Sequence, residues 1–319
     1  MADIRFQVHR FNPETDEKPY YQEYQFTPLE GSTVLDCLNY IKWHLDDTLA
    51  YRMSCRSAIC GSCAMRVNGH AKLVCQTQVK NVVRPDGTVR IDPVGNMPVL
   101  KDLIADMHGF WTKMQAVKPY LMPTQPPPSA NQEYLQLPEA FRLFEEEATC
   151  IMCGACVSDC TSLESDKQFL GPAALAKAYR FSADTRDGRR HERLEELIER
   201  GGMWDCVRCN ECVQTCPKTV APMEAILKLR QMALKERLTD SIGARHVTVF
   251  TDIVGRRGIL DERELPVRSL GFNPVKLLGM APVALQSVLK GKIRPLEPPH
   301  KVKGVEDVQR IHREMEDGS

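Results

Sequence analysis

The sequence lacks a hydrophobic run that could cross a membrane. Its longest weakly polar stretch, residues 272–289, is interrupted by two prolines, one lysine and two side-chain amides, whereas a spanning helix needs about 20 consecutive, mostly apolar residues. The N-terminal decapeptide MADIRFQVHR has neither an apolar signal core nor a twin-arginine pair, so we expect a cytoplasmic chain. Any contact with a membrane should then come through another subunit or through an amphipathic surface.

The sequence also lacks a charge imbalance and the common catalytic motifs. Its 42 Lys and Arg residues match its 42 Asp and Glu residues, which argues against nucleic acid or another strongly anionic partner. It contains no G-x-G-x-x-G, Walker loop, H-E-x-x-H or nucleophile elbow. We therefore expect no substrate site on this chain, although 319 residues suffice for two or three domains.

Cysteine, in contrast, is abundant, and eight of the thirteen cysteines lie in two runs of identical C-x2-C-x2-C-x3-C spacing. The first run is CIMCGACVSDC at residues 150–160, and the second is CVRCNECVQTC at residues 206–216, followed by Pro217. In two-cluster bacterial ferredoxins, three thiolates of one such run and the last thiolate of the other hold one iron–sulfur cube. The predicted ligand sets are Cys150, Cys153, Cys156 and Cys216 for one cluster, and Cys206, Cys209, Cys212 and Cys160 for the other.

Structural zinc and disulfides are the alternative uses of such cysteines. Zinc sites separate their C-x2-C pairs by longer gaps and often include histidine, whereas each run here places four thiols in eleven residues without a histidine. Disulfides need an oxidising compartment, which the N-terminal sequence does not indicate. We therefore favour iron–sulfur clusters over both alternatives.

A third group of cysteines precedes the two runs. Cys55, Cys60 and Cys63 have the C-x4-C-x2-C spacing of plant-type [2Fe–2S] ferredoxins, and Cys75 supplies the distant fourth ligand. Gly61 should let the backbone pass close to a sulfide where a side chain would collide. The Asn-Gly pair before Cys75 predicts a hairpin turn that folds this cysteine back towards the loop.

The sequence before this group predicts a hairpin and a helix. Residues 4–8 alternate between apolar and polar, and residues 21–26 are rich in aromatics, which together indicate a β-hairpin. Ser32 or Thr33 should cap a helix in which Cys37 is a core residue and not a ligand. The other residues predicted on its apolar face are Val34, Leu38, Ile41 and Leu45.

The remaining patterns predict an α+β chain. Residues 80–94 indicate a strand, a turn and a second strand, and residues 98–121 indicate an amphipathic helix before a proline-rich loop. Further helices are predicted at residues 139–148, 172–186, 192–200 and 223–238. The predicted divisions are a [2Fe–2S] domain at 1–105, a linker at 106–135, a helical two-cluster domain at 136–238 and a C-terminal extension at 239–319.

The order of these parts resembles the iron–sulfur subunit of the succinate dehydrogenase and fumarate reductase family. Beyond the cysteines, the resemblance rests on PVLKDLIADMHGFW, on LGPAALAKAYRFSADTRD and on the Cys-Pro pair after the second run. It implies a β-grasp [2Fe–2S] ferredoxin domain followed by a helical two-cluster domain. It also implies a flavoprotein partner that oxidises succinate or reduces fumarate at covalent FAD. Three clusters would carry single electrons between that FAD and a quinone-linked, membrane-associated partner.

Four positions depart from the quinone-reducing members of this family. Those members have proline after the first run, tryptophans shortly afterwards and histidine after the first cysteine of the second run, whereas this chain has Thr161, Ser165 and Val207. These differences argue against a quinone site of the usual kind on this chain. The common members also lack a cysteine at the position of Cys209 and hold a [3Fe–4S] cluster there. With Cys209 present we expect a second [4Fe–4S] cluster, the alternative being a free thiol beside a [3Fe–4S] cluster.

The segment after residue 238 resembles the small iron–sulfur subunit of heterodisulfide reductase, through ARHVTVFTDIVGRRGILDERELPV and LKGKIRPLEPPHKVKGVEDVQRI. This implies docking onto a cysteine-rich subunit of that type, so that the quinone is reached indirectly. The alternative is a plain extension with an extended strap at Pro295, Pro298 and Pro299. Two other functions stay open: an electron-transfer subunit of a thiol-linked fumarate reductase or heterodisulfide-reductase-like complex, and a free multi-cluster electron carrier.

Overall fold

The computed structural model of the chain describes residues 3–126, 129, 131–271, 273–294 and 302–317. The chain divides into two compact units, Met1–Met232 and Ala233–Ser319. All thirteen cysteines lie in the first unit. Every candidate cluster ligand therefore belongs to one compact body.

A five-stranded sheet begins the first unit. Its strand order is β2-β1-β5-β3-β4, with β1 and β5 parallel and the other neighbours antiparallel. Asn68 and Gly69, with φ of 54° and 92°, form the predicted two-residue turn between β3 and β4. The strands are β1 (Ile4–Arg10), β2 (Tyr20–Phe26), β3 (Ala64–Val67), β4 (His70–Leu73) and β5 (Thr88–Asp92).

One helix packs its apolar face against the core of this sheet. Helix α1 (Val34–Tyr40) begins after Thr33, whose hydroxyl accepts the Asp36 amide while the Asp36 carboxylate accepts the Thr33 amide. This reciprocal capping box confirms the predicted start. Cys37 is 2% exposed and belongs to the core cluster of the domain, which confirms its predicted role. A mixed sheet covered by one helix is the β-grasp arrangement.

The prediction for Leu45 was wrong. After α1 the chain continues as a π-helical turn at Ile41–Leu45, in which the Asp46 amide donates to the Ile41 carbonyl. The wider turn rotates the last residue away from the apolar face, and Leu45 is 48% exposed. A regular helical period cannot reveal such a change of pitch.

Residues 80–94 contain one strand and not two. The segment predicted as the first strand is a 3-10 turn at Val79–Asn81, and only β5 follows the Pro-Asp-Gly turn. The turn is closed by the Val79 carbonyl, which accepts the amides of Val82 and Val83. These local hydrogen bonds replace the ladder that a strand would need.

The predicted helix at residues 98–121 was only partly correct. Helix α2 (His108–Ala116) is preceded by a small hairpin of β6 (Val99–Lys101) and β7 (Ile104–Ala105). Asp102 at its tip is buried, and its carboxylate accepts hydrogen bonds from Arg10 and from the amides of Phe11 and Ala50. This long-range anchoring fixes the hairpin, and the periodicity of the segment does not reveal it.

Short helices hold the two cysteine runs around a central helix, α7 (Pro172–Ser182). Its buried alanines at 173, 174, 176 and 178 let neighbouring elements approach closely. The elements that contact α7 include α2, α4 (Glu145–Ala148), α5 (Ala155–Ser158) and α8 (Arg190–Leu197). The other helices of this region are α3 (Pro138–Arg142), α6 (Thr161–Ser165), a 3-10 turn (Met203–Asp205), α9 (Glu211–Gln214) and α10 (Pro222–Lys235).

The predicted helix at residues 139–148 is broken into α3 and α4. Phe144, between them, is fully buried and leaves helical geometry with a φ of −138°. Its ring lies 4.5 Å from the guanidinium carbon of Arg180, so core packing outweighs helix continuity here. Helix α7 also ends four residues before its predicted end at 186, and α8 covers residues 190–197 instead of the predicted 192–200.

The second unit is helical in its described residues. Val249, Ile253 and Leu265 form its buried apolar cluster, with Leu260 packed against them. The predicted strap at Pro295, Pro298 and Pro299 lies outside the described residues. None of the helices in the described ranges has the length and apolar character that a membrane crossing requires. The helices are α11 (Ile242–Arg257), α12 (Glu264–Ser269), α13 (Pro274–Leu289) and α14 (Val305–Asp317).

Candidate iron–sulfur cluster sites

The N-terminal cysteine loop, residues 55–63, lies against Cys75. The amide of Cys60 donates to Cys55 Sγ at 3.3 Å, and the amide of Cys55 donates to Cys60 Sγ at 3.4 Å. The Cys63 thiol neighbours both Cys75 and Cys60, and burial raises its pKa to about 12. The structure therefore brings all four predicted [2Fe–2S] residues to one place.

Backbone amides surround the sulfurs of this loop. The Ser62 hydroxyl, 3.2 Å from Cys60 Sγ, is the foremost of the contacts that lower the pKa of Cys60 to about 6. The chain can wrap the sulfurs because Ala58 and Gly61 adopt φ of 55° and 73°. Such donors stabilise thiolate sulfur, which suits a bound cluster. The further amides that donate to cysteine sulfur within 3.4 Å are those of Ser57, Ala58 and Ile59.

The first ligand set of the paired runs (residues 150–160 and 206–216) lies around one pocket. Desolvation raises the pKa of Cys153 to about 11, and its neighbouring thiols are Cys150 and Cys216. Cys216 comes from the other run, so the set crosses between runs as the sequence predicts. The pocket is lined by Cys150, Cys153, Cys156 and Cys216, among other residues. Four thiols around one apolar pocket fit an iron–sulfur cube.

The second set forms a separate group of neighbouring thiols. Burial raises the pKa of Cys212 to about 12, and its neighbouring thiols are Cys206, Cys160 and Cys209. Burial likewise raises the pKa of Cys160, whose thiol neighbours are Cys209 and Cys206. Thiols in such desolvated surroundings ionise when a metal compensates their charge. Cys209, which is exposed, lies next to these buried thiols, so the structure brings the four predicted residues together as a donor set that fits a cluster.

The two runs share an unusual backbone conformation. Met152 and Gly154, on either side of the second cysteine of the first run, have φ of 54° and 78°. Arg208 and Asn210 occupy the same places in the second run and have φ of 59° and 70°. Left-handed residues other than glycine are uncommon, so their recurrence reflects a shared loop shape. The second cysteine of each run therefore sits in the same local geometry.

Direct packing joins the N-terminal cysteine loop to the first run. A methyl group on Gly61 would lie 2.8 Å from Cys153 Cβ and 3.2 Å from the Ile151 carbonyl oxygen. Only glycine fits such an approach. A candidate [2Fe–2S] loop is thus in van der Waals contact with a candidate cube ligand, through a contact that the sequence alone does not reveal.

Asp159 is a second joining residue that the sequence analysis missed. Its side chain is almost fully buried and lies 3.3 Å from the Arg66 guanidinium. It also accepts the Ala71 amide at 2.7 Å and the Thr215 hydroxyl at 3.1 Å. It therefore ties the β3–β4 hairpin to both runs. Its position inside the first run, just before Cys160, is the signal that could have identified it.

Arg230 places a buried positive charge beside the second set. The residue is 7% exposed, and its guanidinium donates to the carbonyls of Met203 and Cys206, each at 2.7 Å at the closest. It also lies over the Trp204 ring at 5.1 Å from the centroid. Nothing in the local sequence marks this arginine, because its partners lie more than twenty residues away.

Two family models match the two cysteine-bearing regions. The model described as a 2Fe-2S iron-sulfur cluster binding domain matches residues 5–112. The model described as a 4Fe-4S dicluster domain matches residues 146–220. The chain therefore contains 2Fe-2S and 4Fe-4S cluster-binding regions.

Several characterised proteins match over most of their length. The fumarate reductase iron-sulfur subunit of Mycobacterium tuberculosis is 39% identical over 75% of this chain and 96% of its own length. The 8-methylmenaquinol:fumarate reductase iron-sulfur subunit of Wolinella succinogenes is 34% identical over 97% of both chains.

A solved structure shares the fold. A chain of the apo Mycobacterium smegmatis Sdh1 complex matches with a TM-score of 0.62 and 23% identity, over 75% of this chain and 98% of that chain. The chain therefore belongs to the family of succinate dehydrogenase and fumarate reductase iron–sulfur subunits, the electron-transfer subunits of those oxidoreductase complexes.

Proposed function

We propose that the chain relays single electrons between the FAD of a flavoprotein subunit and a membrane-associated, quinone-linked subunit. When bound, iron–sulfur clusters accept and release one electron at a time, which a two-electron flavin reaction requires. The contact of Gly61 with Cys153 carries this proposal, because it sets the first two candidate sites side by side. The protein's residues fix the order of the sites and bury part of each one, with Cys63, Cys75, Cys160 and Cys212 buried.

The proposed clusters are one [2Fe–2S] and two [4Fe–4S]. The [2Fe–2S] ligands are Cys55, Cys60, Cys63 and Cys75; those of the first cube are Cys150, Cys153, Cys156 and Cys216; those of the second cube are Cys160, Cys206, Cys209 and Cys212. The second cube is supported by the thiol neighbours of Cys209 and by the φ of 59° and 70° on its two sides, which repeat the loop around Cys153. The alternative is a [3Fe–4S] cluster beside a free Cys209.

The C-terminal part favours a particular kind of partner. The M. tuberculosis relative covers 75% of this chain, whereas the W. succinogenes relative, named as acting on 8-methylmenaquinol, covers 97% of it. The extension is therefore shared with the second relative. Together with the departures at Thr161, Ser165 and Val207, this shared extension supports docking onto a cysteine-rich, heterodisulfide-reductase-like subunit that exchanges electrons with a low-potential quinone. We propose that the assembly is peripheral on the cytoplasmic membrane through that partner.

Purification of the tagged chain from its source tests this proposal. We expect a flavoprotein with covalently bound FAD to co-purify, together with a cysteine-rich polypeptide identified by mass spectrometry. Succinate should then reduce the [2Fe–2S] centre, as seen by electron paramagnetic resonance (EPR). Recovery of a stable lone monomer with all its clusters would contradict the assembly and would favour a free electron carrier.

A further inference from the structure

Helix α13 exposes an apolar stripe. None of its sixteen residues is buried, and Val275, Leu278, Leu285 and Leu289 are between 62% and 77% exposed. At about 100° per residue these four side chains lie within an arc of about 80°. Pro282 falls inside the same arc. A contiguous apolar stripe of this size marks an interaction surface.

The positive charge of α13 lies to one side of this stripe. Lys276, and Lys290 at the C-cap, are roughly 100° and 60° from Val275 around the helix. Residues 273–294 contain three lysines and one arginine but neither aspartate nor glutamate. Although the whole chain has a formal net charge of zero, this segment is locally cationic. An apolar stripe flanked by lysines suits a helix that lies in a membrane interface, because long lysine side chains can reach the headgroups.

We infer that α13 binds directly to the surface of an anionic phospholipid membrane, with its apolar stripe among the acyl chains and its lysines at the headgroups. Sixteen residues make a helix of about 24 Å, shorter than the roughly 30 Å hydrocarbon core, so the helix lies in the plane of the interface. The positive charge of residues 273–294, which include no acidic residue, suits anionic headgroups. This contact goes beyond the proposed function, in which a partner subunit makes the membrane contact.

Vesicle co-sedimentation of the full, cluster-loaded chain tests the inference. Vesicles of phosphatidylcholine with phosphatidylglycerol should bind the chain, pure phosphatidylcholine should bind it much less, and added salt should weaken binding. The double variant Leu278→Ser, Leu285→Ser should reduce binding roughly tenfold or more. Each lysine-to-glutamine change at 276 or 290 should reduce it roughly fivefold.

A matched control removes two apolar side chains from the lysine side. Met280 and Val283 are 38% and 62% exposed, and the variant Met280→Ser, Val283→Ser should bind vesicles nearly as well as the unchanged chain. The cluster EPR signals verify that each variant is folded.

Failure of the unchanged chain to bind anionic vesicles, or equal loss of vesicle binding in both double variants, would overturn the inference. So would loss of a co-purifying protein from the stripe variant without loss of vesicle binding, because the stripe would then be a protein interface. Flavoprotein co-purification is a separate readout, so failure at the membrane is distinguishable from failure of the proposed function.

Discussion

The N-terminal cysteine loop and the paired runs hold their thiols in different ways. In the loop, three of the four cysteines lie within nine residues and backbone amides donate to their sulfurs. In the paired runs, each set takes one thiol from a run about fifty residues away. The first site is built by local backbone, and the other two are built by tertiary packing.

This difference predicts how far the loss of one cluster site affects the folding of the rest of the protein. A local site can be lost while the rest of its domain keeps its packing. A site that ties two distant segments together contributes its binding free energy to the folding of the whole region. The stability of the paired runs should therefore depend more on their clusters than the stability of the N-terminal domain depends on its own cluster.

The largest effect is expected for Cys216→Ser. This change removes the only second-run thiol from the first set, so the signal of that [4Fe–4S] cluster should disappear and the stability of the helical region should fall by several kcal/mol, on the order expected for a structural metal site. Thermal unfolding, monitored through the visible absorbance of the clusters, measures this loss of stability.

Cys60→Ser is the matched change in the loop. It should weaken or shift the [2Fe–2S] EPR signal alone and leave both cubane signals and the unfolding temperature of the helical region nearly unchanged. Loss of only the cubane signals would refute the assignment of the loop cysteines. A drop in stability as large as that of Cys216→Ser would refute the contrast between local and tertiary sites.

A smaller effect is expected where the two kinds of site touch. Gly61→Ala adds a methyl group 2.8 Å from Cys153 Cβ at a residue with a φ of +73°, so strain and overpacking should cost about 2–4 kcal/mol. Gly69→Ala is the control, because Gly69 also has a positive φ, of +92°, but a methyl group added there would have no atom within 4 Å. It should cost only the backbone penalty of about 1–2 kcal/mol. Chemical denaturation separates the two, and equal losses would show that the contact with Cys153 is unimportant.

The smallest effect is expected for Arg230→Gln. Removing a buried positive charge beside Cys206 should lower the reduction potential of the second cluster by roughly tens of millivolts, since a nearby cation favours the reduced, more negative form. Arg230→Lys keeps the charge and should keep most of the potential. Redox titration monitored by EPR measures both, and an unchanged potential in the glutamine variant would rule out this role for Arg230.

Local chemistry made much of this protein predictable from sequence. The Thr33 capping box, the Asn68-Gly69 turn and the core position of Cys37 all follow from neighbouring residues. Cysteine spacing also grouped the thiols that the structure brings together, because each spacing reflects the reach of a short loop around a cluster.

Long-range contacts account for what the sequence did not reveal. The β6–β7 hairpin depends on Asp102 reaching Arg10, and the break at Phe144 depends on Arg180. Asp159 and Arg230 act on partners that are distant in sequence. A π-helical turn displaced Leu45, which a fixed helical period could not anticipate.

We propose that the second set of the paired runs holds a four-iron cluster completed by Cys209. EPR of the anaerobically prepared, oxidised protein distinguishes this cluster from a three-iron one. The unchanged chain should show no stoichiometric three-iron signal, and Cys209→Ser should create one while the [2Fe–2S] signal of the reduced protein persists. A stoichiometric three-iron signal in the unchanged chain would contradict the claim and would leave Cys209 as a free thiol.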